Sequence, residues 1–181
     1  MRQTKSDLID SLEILFSRFA ELLLRISERN YTRPLHLLSG VSIGKQVRHC
    51  LEFAEAVLNG YDTGLVSYDQ RERNPLYENF PQAAADRLLE LKKEFERRDW
   101  EGEVQVSYLI HSSLGSENVV MSSWERELLY LQEHTIHHEA IIRVALEHDL
   151  GFEDIPENFG FAISTLQYNT NRLILAWDPV I

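Results

Sequence analysis

The stretch EHTIHHEAIIRVALEHDLG, Glu133 to Gly151, carries four of the chain's seven histidines, three of them between His134 and His138, in an apolar series that ends in glycine. A helix through it sets His134 and His138 about 40° apart on one face, one turn from each other. Leu131, Ile141, Ile142 and Ala145 share that side, so both rings are expected within the apolar stripe. Arg126, Gln132, Glu133, Arg143 and Glu147 are expected on the back. His137 falls at the edge of the core face. Glu139 falls on the other flank, which weakens it as a direct ligand. The pattern predicts a helix from about Ser122, as N-cap, to His148, ended by Gly151 and Pro156.

Working outward, Leu8, Leu12, Phe16, Phe19, Leu23 and Ile26 recur at helical steps and predict a helix over about 6–28 behind Ser6. Asn30, Pro34 and Gly40 interrupt the chain. A second helix is expected from Ser42 to Asn59–Gly60, with Val47, Leu51, Ala54 and Leu58 on one stripe and Phe53 and Ala56 on another. Residues 60–81 read as a long surface crossover, and Pro81 opens a third helix to about Arg98. Val104, Val106 and Tyr108 alternate with polar residues ahead of LGSEN, which predicts a β-hairpin. The tail is expected to add a short helix in FGFAISTLQYN and an extended LILAWDP. The fold class is therefore all-α: an up-and-down-type four-helix bundle, with a long crossover loop and a small β-hairpin before the last main helix. One domain spans 1–181.

The bulk properties narrow the function. Hydrophobic residues make up 44% of the 181 and charged residues 26%, a globular balance. Eighteen Lys and Arg against 29 Asp and Glu leave −11, which repels phosphate backbones, so no nucleic-acid partner is expected. Cys50 stands alone, so no intrachain disulfide forms. The first residues turn polar and acidic too early for a signal peptide, and no run approaches the ~20 apolar residues of a spanning helix. A cytoplasmic protein without membrane contact is the expectation. No Ser-His-Asp order, nucleotide-binding glycine loop or paired CxxC occurs.

Two imidazoles at i and i+4 on a buried face can converge on one ion. They can equally be core histidines bonded to hydroxyls or carbonyls, and the residues leave both readings open. His49, in GKQVRHCLEF, is the candidate third ligand. It shares a face with Phe53 and Ala56, toward which Ser42, Lys45, Gln46 and Glu52 lean. Cys50 lies about 100° away around that helix and is a poor fourth ligand. His36, His111 and His148 read as structural. Glu127 shares the face of His134, to orient water or to end in solvent. Tyr68, Asp69 and Arg71 form either a pocket rim or a charged surface loop.

SIGKQVRHCLEF (Ser42 to Phe53), EHTIHHEAII (Glu133 to Ile142), the spacing between them and the tail ENFGFAISTLQY resemble the DinB-like family of four-helix-bundle metal proteins, whose relatives include bacterial thiol S-transferases. The resemblance covers most of the chain. It maps a metal triad onto His49, His134 and His138, with His137 at most a neighbour of the ligands. Many members follow the last histidine with Arg-Gly-Gln, where this chain has Glu139-Ala140-Ile141.

Three neutral histidines leave coordination positions open on a divalent transition metal, and all-nitrogen ligation suits zinc, nickel, iron or copper. The resemblance implies thiol transfer or a related reaction, with a small-molecule substrate or thiol cosubstrate. The residues alone imply metal-assisted activation of a thiol or water. A non-catalytic metal- or ligand-binding module, stress-related, is the second expectation. A homodimer is expected because bundle helices often pair, as family members often do.

Overall fold

Leu12, Leu15, Phe16, Phe19, Leu22 and Leu23 are all buried on one side of the first helix, as their three- and four-residue spacing requires. The structure, a computed structural model, describes residues 2–110 and 117–176, and side-chain surroundings for 7–110 and 118–169. Its elements are α1 (Arg2–Arg25), α2 (Glu28–Thr32), α3 (Ile43–Thr63), β1 (Leu65–Ser67), α4 (Pro75–Asn79), α5 (Pro81–Glu96), β2 (Glu103–Leu109), β3 (Glu117–Ser123), α6 (Trp124–Leu150) and α7 (Ile163–Ala176). The protein is mostly helical with a small three-stranded sheet. Helix α1 lies along α5 and α6, and α3 lies against the same two. Phe16 meets Phe95 edge-on at 5.7 Å between α1 and α5. Among the described residues, no helix is long and apolar enough to cross a membrane.

The expected hairpin is present: β2 and β3 pair antiparallel with Val106 opposite Val120. The sheet holds a strand that the sequence reading leaves in the crossover. Leu65–Ser67 pairs parallel with β2, Val66 beside Val106, so all-α is too narrow a description. Three residues are too few to show a period of two. The same crossover also contains α4, capped by Asn74 with Pro75 behind it.

Gly60, expected to end α3, instead lies inside it. The helix runs on to Thr63 and stops at Gly64, whose φ of 79° needs no Cβ and whose N–H donates to Gly60 O at 2.8 Å. Gly60 serves packing: a Cβ there would lie 2.3 Å from Val66 Cγ2. Gly44 does the same for α4, since a Cβ would lie 2.0 Å from Glu78 O. These two positions let β1 and α4 lie directly on α3, and so hold the intervening segment, residues 68–74, against the bundle.

Ser123, one residue beyond the expected cap, accepts from Arg126 N at 3.3 Å to start α6, and Gly151 ends it at φ 60°. The expected C-terminal helix is α7. It takes in Leu173–Ala176, so that part of the tail is helical, not extended, while 177–181 lie outside the described residues.

Candidate metal centre

The centre forms where α3 faces α6. The cap of Ser42 on Lys45 N and the apolar positions Val47, Leu51 and Ala54 lock α3 against the core. His49 is then carried on an adjoining, half-buried face. On α6, Leu128, Leu131, Thr135, Ile142 and Ala145 fill the core. His134 and His138 are half-buried beside that stripe, not within it as expected. Each ring therefore has one side in the bundle and one toward an opening.

The three imidazoles converge. One ligand nitrogen from each of His49, His134 and His138 lies within 4.8 Å of the others. His49 Nε2 and His134 Nε2 are 3.0 Å apart. Burial, the nearby Arg71 guanidinium and His138 push His49 down to about 4. Burial and the other imidazoles push His134 to about 3. Burial and His137 push His138 to about 4. At neutral pH all three rings are uncharged and hold lone pairs, as metal ligation requires.

Gln46 completes one side. Its Oε1 lies 2.8 Å from His138 Nδ1, and because the carbonyl can only accept, that nitrogen carries the proton and Nε2 is left with its lone pair. A ligand histidine usually has such an acceptor behind it. His49 differs. The group at its Nδ1 is Arg71 Nη1, at 2.9 Å, a donor only.

Tyr68 and Arg71 of the segment 68–74 reach the rings of the centre, as a pocket rim would. Arg71 also lies over the Phe53 ring at 4.7 Å. Phe53 stacks on His134 at 3.9 Å and on Tyr68 at 4.8 Å. Asp69 goes elsewhere and accepts from Leu109 N at 3.0 Å, tying the loop to β2. Two cavities flank this wall. One of about 480 Å³ runs past Arg71, Glu52, Glu55 and Arg87. Another of about 620 Å³ is bounded by Tyr68, Tyr130, Met121 and Glu127.

Glu127 is neither solvent-exposed nor free. It is 1% exposed, and its oxygens accept from the Tyr68 and Ser122 hydroxyls, each at 2.6 Å. His137 is exposed and meets the centre at the His138 ring, with centroids 5.6 Å apart. His36 and His148 are exposed and are not among the converging residues, and His111 lies outside the described residues. Cys50 is buried, burial pushes its thiol well above the ordinary range, and it is not among the residues whose ligand atoms converge.

Two positions on α6 contradict the helical-wheel reading. Gln132, expected on the back, is buried. Glu139, expected on a flank, is fully buried, hydrogen-bonded to Arg18 Nη2 and accepting from Gly160 N at 3.1 Å. Burial raises Glu139 to about 7 against the pull of Arg18 and the Gly160 amide. The helix is covered by α3 on one side and by α1 with the turn at 156–160 on another, so polar residues on that second side are enclosed. The sequence placed Gln46 and Glu52 on the face of His49 and left Arg71 between a pocket rim and a surface loop, but gave none of the three a role. For Gln46 the usable signal was its place three residues before His49 on the same face.

The donor set fits a transition ion: three neutral nitrogens on two rigid helices, one of them oriented from behind by a carbonyl. No protein-family model matches the chain. The FK506-binding protein 5 of Rhizopus delemar is 36% identical over 107 residues, which is 58% of this chain and 27% of that protein. The match thus spans about a quarter of that relative's length. A crystal structure of a DinB-like protein, YjoA of Bacillus subtilis, matches with a TM-score of 0.57 and 18% identity, covering 83% of this chain and 95% of that one. This chain has the fold of a DinB-like protein.

Proposed function

We propose that His49, His134 and His138 hold one divalent transition metal, and that the loaded centre activates a thiol or a water for transfer or hydrolysis. The observation that carries this reading is the convergence of three uncharged ring nitrogens within 4.8 Å. Such an ion, when bound, supplies Lewis acidity that lowers the pKa of a thiol or water in its open position. The chain's own residues do the rest. Gln46 orients His138, and the Phe53 ring fixes the plane of His134. Tyr68 and Tyr130 place aromatic surface between the rings and the adjoining cavity. Zinc, nickel, iron and copper all suit three nitrogens. Metal analysis of protein purified without chelator tests the reading, with His134→Ala as control. A stoichiometric metal lost in the variant, with unchanged melting, is the expected result. Metal content unchanged by the variant removes the site.

One observation favours a second reading, a non-catalytic metal- or ligand-binding module. Glu127, on the same face of α6 as His134, is spent on two hydroxyls and is no ready base. Turnover of thiol, ester, amide or epoxide substrates by the metal-loaded protein separates the two readings.

The same proposal takes α1, α3, α5 and α6 as an up-and-down-type four-helix bundle, and the protein as a cytoplasmic homodimer. The packing of α1 and α3 on both α5 and α6 supports the first. For the dimer, β3 is an edge strand with Val119, Val120 and Met121 exposed, a surface suited to pairing with a second copy. Sedimentation showing only monomer at micromolar concentration removes the dimer.

A further inference from the structure

We infer that Arg71 is a latch on the centre: its guanidinium and a metal ion hold His49 in mutually exclusive tautomers. This rests on the metal reading above. A guanidinium has five donors and no acceptor. With Arg71 Nη1 2.9 Å from His49 Nδ1, that nitrogen must present its lone pair, and the neutral ring carries its proton on Nε2. The proton has a place to go, since His134 Nε2 lies 3.0 Å away. The hydrogen-bond chain therefore runs from Arg71 through His49 to His134. In this state His49 Nε2 has no lone pair to give, although it is the nitrogen that faces the triad.

Ligation through His49 Nε2 requires the proton on Nδ1, where it meets an N–H of Arg71. Two donors cannot share that contact, so Arg71 withdraws. The proton moves from Nε2 to Nδ1 by way of solvent, and the ring loses none in the exchange. The loop is built for the movement. Among the described residues Arg71 Nε is buried without a hydrogen-bond partner, so the latched posture leaves that donor unsatisfied there. Glu52, three residues along α3 from His49 and buried, has Oε2 3.9 Å from Arg71 Nη1 and can receive the guanidinium. Glu52 also accepts from Asn74 N at 3.3 Å, which anchors the far end of the loop in either state. Arg71 and Glu52 are thus positioning residues, acting through His49.

The test uses the whole chain, with zinc as the metal. In the metal-free wild type, ¹⁵N shifts of the imidazoles are expected to show His49 with its proton on Nε2, and zinc is expected to move it to Nδ1. Chelator competition is expected to give Arg71→Met at least tenfold tighter zinc binding than wild type. Arg73→Met, which removes an exposed cation from the same loop, is expected to bind as wild type does. Equal affinity of wild type and Arg71→Met overturns the latch and leaves the metal site standing. So does a metal-free His49 already protonated on Nδ1, a measurement that needs no variant to fold. If folded wild type and Arg71→Met both refuse zinc, the metal reading falls and the latch with it. Zinc taken up by Arg71→Met alone supports both.

Discussion

Gln46 and His138, 92 positions apart in the chain, meet with Oε1 2.8 Å from Nδ1 and tie α3 to α6 at the level of the triad. The carbonyl selects the tautomer of His138 that can ligate through Nε2. Gln46→Leu removes that selection and keeps most of the side-chain volume. Zinc affinity is expected to fall by about 10–100-fold, with melting little changed. Chelator competition reads it, and an affinity equal to wild type would show that Gln46 does not orient the ligand.

Acid is expected to destabilise the metal-free protein. A histidine held below its ordinary pKa stabilises the fold above about 6.5, and loses that contribution as pH falls toward the folded value. The three rings have folded values of about 4, 3 and 4. Glu139, raised to about 7, works in the opposite sense: its contribution is full below the ordinary carboxyl range and is lost as pH rises through 7. Glu139 offsets the rings down to the ordinary carboxyl range, and below it the rings alone still lose stability. Allowing for the half-exposure of the rings, each contributes about 1 kcal/mol. Urea midpoints measured in chelator at pH 5 and 4 should drop at the lower pH, and drop less in His134→Phe, which lacks one ring; an equal drop in the two proteins contradicts the assignment.

Glu139 and Arg18 clamp α6 to α1, with the Gly160 amide as a third member. Glu139→Met strands a guanidinium whose side chain is 14% exposed, and is expected to cost about 3 kcal/mol. The double variant Arg18→Met, Glu139→Met is expected to recover much of that loss, since neither charge is then left alone. Denaturant unfolding of both variants checks the pair. A double variant less stable than Glu139→Met would mean that the two residues stabilise independently.

Gly44→Ala tests the seat of α4. Alanine favours an interior helix position over glycine by about 1 kcal/mol. Here its Cβ meets the backbone oxygen of Glu78 at 2.0 Å, so α4 must move. A net loss of about 1–3 kcal/mol is expected, with faster hydrogen exchange at Tyr77–Phe80. A stabilised variant would place α4 farther from α3 than the structure does.

The helices were legible because their apolar spacing is local. Leu12 to Leu23 in α1 and Leu88, Leu91 and Phe95 in α5 each declare a buried face without reference to any partner. The hairpin was legible for the same reason, with a period of two in Val104, Val106 and Tyr108. Strand β1 and helix α4 were not. Each is short, and each exists because a glycine on α3, Gly60 or Gly44, leaves room for it. A glycine's role in close approach cannot be told from its role as a stop until the neighbour is known.

His134 and His138 share a face by helical geometry alone, and His49 presents a face of mixed polarity. That much the amino-acid order determined by itself. The side toward which those faces turn belongs to the packing of α3 on α6, and so does the partner at each remote nitrogen. His138 meets an acceptor and His49 a donor, though both are histidines on amphipathic helices. Glu139 shows the same division, since a wheel drawn for one buried side cannot place a carboxylate that a second layer encloses. Periodicity is a property of one element. Burial on a second side, tautomer and hydrogen-bond polarity arise only between elements, and only tertiary structure decides them.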